Sequence, residues 1–138
     1  NRNVIEVDID AKLLNIPAEQ YDFDNSPMFD VVLTSPPYFN LEVYNDDGDQ
    51  SYNQHNTYDQ WRDQWLFPLI EKCLGKLKDD GISAWNVMNF KKYDLVGDII
   101  EIHKKNGWEL VDTVGFKSPL ANIRKLKNKD VTYIFRRI

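Results

Sequence analysis

The sequence has few of the residues that staple, span or cradle. It has one cysteine, Cys73, so no internal disulfide can form and a disulfide-stapled secreted scaffold is excluded. A lone thiol inside an apolar helical pattern reads as core, and an intracellular, cytoplasmic setting is expected with it. No apolar run approaches the roughly 20 residues of a membrane span, and no signal-peptide pattern is seen. Neither His55 nor His103 stands in a metal-ligand spacing, so no metal is expected. The six glycines (48, 75, 81, 97, 107 and 115) are scattered and form no glycine-rich loop. Positive charge is not in excess: the net charge of −5 does not by itself suggest a nucleic-acid partner.

The chain of 138 residues has room for one domain with a modest core, and 42% hydrophobic with 13% aromatic residues argues for a folded globule. No repeat or linker divides residues 1–138. Charge is unevenly spread. From Lys117 to Ile138 there are seven basic residues and one acid, Asp130, for +6, so the other 116 residues carry −11. That asymmetry reads equally as a basic edge on an acidic body or as a solvated terminal hairpin.

Asn3 to Ile9 alternates apolar and acidic residues and reads as a strand, followed by Asp10. Residues 12–28, broken by Pro17 and Pro27, read as irregular with a short helical turn. Val31-Val32-Leu33 reads as a fully buried strand. It stops at Thr34-Ser35-Pro36-Pro37-Tyr38, because neither proline donates to a ladder and Pro36 pushes Ser35 towards extended geometry. A stiff turn is expected there, presenting a hydroxyl, a carbonyl and a ring at the edge where open α/β sheets hold ligands. The polar stretch 45–56 reads either as a lid or substrate-contacting loop or as a plain disordered insertion.

Thr57 and Gln60 form a capping box that opens a helix to about Lys78, with an apolar stripe through Trp61, Trp65, Leu69, Cys73 and Leu77. Pro68 is expected to kink or divide it. Lys78–Gly81 reads as a turn and Ile82–Met88 as a buried strand. A second helix is expected over Tyr93–Asn106, stopped by Gly107. Trp108–Phe116 and Asp130–Arg137 read as strands around a basic loop, 117–129. Alternating strands and helices imply right-handed parallel crossovers in an α/β sheet, and the last two strands, joined without a helix, should pair antiparallel.

The stretch Phe29 to Tyr38 resembles motif IV of the amino-methyltransferases, which methylate an exocyclic amine of a DNA base. The Ser form, Ser35-Pro36-Pro37-Tyr38, is most similar to the N4-cytosine branch, whereas Asp at the first position is more typical of the N6-adenine branch. The resemblance implies a partial Rossmann-like methyltransferase fold, a mostly parallel sheet with an antiparallel C-terminal strand. It also implies S-adenosylmethionine as cofactor and DNA as partner, with the base flipped out or single-stranded.

By the same resemblance, Ser35, Pro36, Pro37 and Tyr38 are the catalytic residues. Asp10, then Asp8, and Thr34 would contact the cofactor, and Phe39, Asn40 and Tyr44 the substrate. Acids also end strands for solubility alone. An exocyclic amine is a weak nucleophile because its lone pair is delocalised into the ring. Two acceptors, Ser35 Oγ and the Pro36 carbonyl, would favour a pyramidal nitrogen, and Tyr38 would stack on the base.

One departure counts against the resemblance. The family's glycine-rich Phe-x-Gly-x-Gly loop, which holds the methionine part of the cofactor, has no counterpart in residues 1–138. It is expected before Asn1, or after Ile138 in a permuted order, or else the piece is inactive. The chain alone is not expected to bind cofactor tightly. Two other readings stand beside the first: an adenine, RNA or protein-amide acceptor, and a non-catalytic module that binds nucleic acid or a partner through its basic end.

Overall fold

The computed structural model describes residues 14–37, 39, 55, 57–116 and 130–138. The expected strand at Asn3–Ile9, most of the polar stretch 45–56 and the basic loop 117–129 lie outside the described residues. After a single 3-10 turn, Ala18–Gln20, the elements in chain order are β1 (Phe29–Thr34), α1 (Tyr58–Trp61), α2 (Phe67–Gly75), β2 (Leu77–Val87), α3 (Leu95–Lys105), β3 (Trp108–Phe116) and β4 (Asp130–Arg137).

The four strands form one sheet in the order β1-β2-β4-β3. β1 and β2 are parallel, with Val32 opposite Ser83 and Thr34 opposite Trp85. β4 is antiparallel to β2 and to β3. The described sheet is therefore mixed, with one parallel and two antiparallel contacts, rather than mostly parallel. The crossover through α3 does return β3 in the direction of β2. β4 pairs antiparallel with β3, as expected, and takes the place between β2 and β3.

The helices cover the face that carries Ser83, Trp85 and Val87, and the core fills between them with Trp61, Leu66, Ile70, Leu77, Leu95, Ile99, Trp108 and Phe135. The opposite face is open at β1, where Val31 is 52% and Leu33 71% exposed. The expectation of a fully buried strand is corrected here. β1 is the edge of the described sheet, and only alternate residues, Val32 and Thr34, face the helices.

The long helix expected from Thr57 is divided, and it ends at Gly75 rather than near Lys78. Thr57 does cap it, Oγ1 accepting from Gln60 N–H at 3.2 Å. Pro68 cannot donate to the carbonyl four residues back. The turn before it widens to a π turn over Arg62–Leu66, in which Phe67 N–H reaches Arg62 O. This keeps Trp61, Trp65, Leu69 and Ile70 on the core side on both sides of the break. Asp94 caps α3 by accepting from Gly97 N–H at 3.1 Å. Gly107, at φ +80°, ends it as expected.

Lys78–Gly81, expected as a turn, is drawn into the start of β2. Between the pairs Phe29–Leu77 and Val31–Ile82, β1 advances two residues while β2 advances five. The surplus forms a bulge, tied by Lys78 Nζ to Asp30 Oδ1 at 2.7 Å. Gly81 is buried at its base. A Cβ there would stand 2.9 Å from Lys78 O and 3.2 Å from Asp30 O, both backbone atoms that cannot swing aside. Gly81→Ala is expected to lower stability by about 1–3 kcal/mol, read as a shift in the urea midpoint.

Candidate active site

β1 runs out of the sheet at Thr34 and delivers Ser35, Pro36 and Pro37 to the C-terminal edge of the parallel pair. Ser35 is exposed, Pro36 is buried and Pro37 is half-buried. The prolines hold the backbone from below while the hydroxyl-bearing residue faces outward. A pocket of about 170 Å³ opens beside the turn. Thr34, Ser35, Pro36 and Pro37 line it together with Trp85 from β2 and with Trp65 and Cys73 from the helical side. Burial pushes the Cys73 thiol up to about 11, so it is protonated at neutral pH and inert as a nucleophile.

Phe39, the next described residue, is 6% exposed. Its ring meets Tyr58 at 6.3 Å, Trp61 at 6.0 Å and Tyr93 at 6.4 Å. It thus anchors the chain after the proline turn against α1 and the loop that follows β2. Tyr58 is itself fixed, stacked on Tyr93 at 4.2 Å and donating its hydroxyl to Asp98 Oδ2 at 2.6 Å. Burial and that carboxylate raise the phenol's pKa, so it stays a donor. Arg62 completes the contact, 3.6 Å from Asp98 Oδ1 and over the Tyr58 ring.

A buried hydrogen-bond chain supports the pocket wall from behind. Trp85 Nε1 donates to Ser83 Oγ at 2.8 Å. His103 Nδ1 lies 2.7 Å from Ile99 O, a carbonyl that can only accept, so Nδ1 carries the proton. Nε2 is then the acceptor for the Ser83 hydroxyl at 2.9 Å. Burial depresses the His103 pKa to about 4, although the Ile99 hydrogen bond opposes the shift.

The unfolded imidazole, near 6.5, protonates first as pH falls, so the unfolded state binds the extra proton. His103 therefore contributes stability that is complete above about pH 6.5 and is lost on acidification towards pH 4, up to about 3 kcal/mol. The imidazole proton resonances are expected to titrate near pH 4, with the denaturation midpoint falling across that window.

The structure thus brings together Thr34, Ser35, Pro36 and Pro37, and places Phe39 close by as an anchor. Asp8, Asp10, Tyr38, Asn40 and Tyr44 lie outside the described residues. Among the described residues no group of three metal-ligating side chains converges, and no helix is long and apolar enough to cross a membrane. Trp85, Ser83 and His103 went unread as parts of the site. The one available signal was that His103 stands four residues after Ile99, on the apolar side of α3.

A family model described as DNA methylase, covering N6 and N4 methyltransferases, matches residues 29–136, well over half of the chain. No curated protein and no solved structure matches.

Proposed function

The chain belongs to the DNA methylase family of N6 and N4 amino-methyltransferases, and from that premise we propose that it methylates N4 of cytosine at the Ser35–Tyr38 turn. The observation that carries the reading is the presentation of Ser35 on a buried proline, at the C-terminal edge of a parallel strand pair and over a pocket. Ser35 Oγ and Pro36 O are the acceptors that hold the amino hydrogens and turn the nitrogen lone pair outward. Tyr38 stacks on the base, which is flipped out or single-stranded. Phe39 positions this segment by its packing rather than by touching the base.

Members of this family generally use S-adenosylmethionine. The described residues fit one part of such a ligand. The pocket has broad apolar walls, and the indole N–H of its Trp65 is buried and lacks a partner among the described residues. Those walls suit a planar heterocycle. Among the described residues, nothing in the pocket lining neutralises a charged amino-acid end, and residues 1–138 contain no glycine-rich loop for it. Thr34 adjoins the pocket, and Asp10 and Asp8 are the proposed adenosine contacts. When bound, the cofactor supplies an electrophilic methyl group. The protein's own contribution is to aim the amine and to keep water away from it.

The test is transfer of a labelled methyl group to DNA by the complete gene product, followed by digestion to nucleosides. Label on N4-methyl-2′-deoxycytidine supports the reading. Label on N6-methyl-2′-deoxyadenosine moves the protein to the adenine branch. No label in DNA rejects it.

A further inference from the structure

Ser83 stands between two groups that leave its hydroxyl no choice of direction. The indole N–H of Trp85 can only donate, and it reaches Ser83 Oγ at 2.8 Å. Ile99 O can only accept, and it takes the Nδ1 proton of His103 at 2.7 Å. The Ser83 hydroxyl therefore donates to His103 Nε2 at 2.9 Å, which turns its lone pairs to the indole. The imidazole is clamped in turn, stacked on Phe135 at 3.8 Å and 16°. Ser83, Trp85 and His103 are all buried, so a broken link leaves a buried polar atom unpaired.

The space on the two sides of the indole is unequal. Ser83 and Trp85 pair with Phe135 and Tyr133 of β4, both ring-bearing. On the other side they pair with Val32 and Thr34 of β1, and there the pocket of about 170 Å³ opens. An apolar cavity of about 150 Å³ accommodates a benzene-sized ring. An untethered indole would gain contacts by turning into that space, because the lining of an empty cavity lacks partner atoms. The hydrogen bond to Ser83, two residues earlier in β2, draws the ring back along the strand and opposes the turn.

We propose that Ser83 is a positioning residue for the pocket beside Ser35: its hydroxyl, oriented by His103, holds the Trp85 indole out of the cavity and keeps room there for a ligand ring. That the ring belongs to the methyl donor rests on the methyltransferase reading; the tether itself does not.

Cys73 lines the same cavity and is the only cysteine of residues 1–138. Its rate of alkylation by iodoacetamide, read by mass spectrometry at one fixed alkaline pH, reports whether the cavity is filled. Ser83→Ala is expected to slow alkylation about tenfold, because loss of one buried hydrogen bond frees the indole to cover the thiol. Ser83→Val, which leaves no void, should slow it likewise, and Ser83→Thr, which keeps the hydroxyl, should react at the wild-type rate. In a Trp85→Phe background there is no N–H to tether, and Ser83→Ala should change the rate by no more than about twofold. A merely structural role has the opposite sign, since a loosened core exposes Cys73 and speeds alkylation. Unchanged or faster alkylation in Ser83→Val overturns the proposal, as does equal slowing in the Trp85→Phe background.

Methyl transfer by the complete gene product is read separately. Ser83→Ala is expected to raise the KM for S-adenosylmethionine about tenfold and to leave kcat within about twofold. Slowed alkylation with an unchanged KM supports the tether and removes the methyl donor's ring from this cavity. Slowed alkylation in a protein that transfers no methyl group supports the tether and rejects the methyltransferase reading.

Discussion

Ser35→Ala is expected to slow methyl transfer by about 10²- to 10³-fold with little change in stability. The magnitude is that of deleting one preorganised polar group aimed at a reacting centre. Ser35 is exposed and ends a strand whose neighbouring prolines hold the backbone, so losing its hydroxyl opens no cavity. An exposed substitution of this kind changes stability by no more than about 0.5 kcal/mol. Single-turnover transfer and a thermal melt on the same sample separate the two effects. A Ser35→Ala protein that transfers at the wild-type rate would remove the hydroxyl from the mechanism. A fallen melting temperature would make its role structural.

The second large effect is expected far from any reacting atom. Trp61→Ala should cost about 3–5 kcal/mol. Trp61 is fully buried, stacks on Trp65 at 5.5 Å and backs Phe39 at 6.0 Å. It sits at the last residue of α1, immediately before the π turn. A loss of that size is a large part of the total stability of a small domain and lowers the melting temperature by about 10–20 °C. Trp61→Phe, which keeps a ring, should restore most of it. Transfer is expected to fall with Trp61→Ala and to return with Trp61→Phe. A Trp61→Ala melt within a few degrees of wild type would show that the helix–turn contact is not part of the cooperative core.

Much of the local structure could be read along the chain because its causes are local. β1, β3 and β4, the cap at Thr57, the helix α3 and its stop at Gly107 follow from side-chain periodicity, one capping hydroxyl and one left-handed glycine. Pro68 announced a break because a missing N–H acts within one turn. The form of that break, a π turn beginning at Arg62, depended on which side chains had to keep facing the core. Lys78–Gly81 looked like a turn by composition. It became a bulge because β2 starts at Leu77 opposite Phe29 and must still reach the register of Val31. The end of β1 before Ser35 was legible for a different reason: two prolines after a strand constrain the backbone whatever surrounds them.

For the Thr34–Tyr38 turn, the sequence by itself determined a rigid segment with a hydroxyl at a strand end, since proline stereochemistry and strand alternation need no partners. Only the tertiary structure decided what the turn meets. It placed Trp85 in the pocket wall, with Ser83 and His103 behind it, and Phe39 under Tyr93. It also sent Arg136 and Arg137, from the basic C-terminal stretch, to Asp80 and Asp79 at the end of the sheet opposite Ser35. The physical reason is strand pairing. Which strands become neighbours depends on contacts between residues far apart in the chain. Lodged between β2 and β3, β4 carries Arg136 and Arg137 to the end of the sheet away from Ser35.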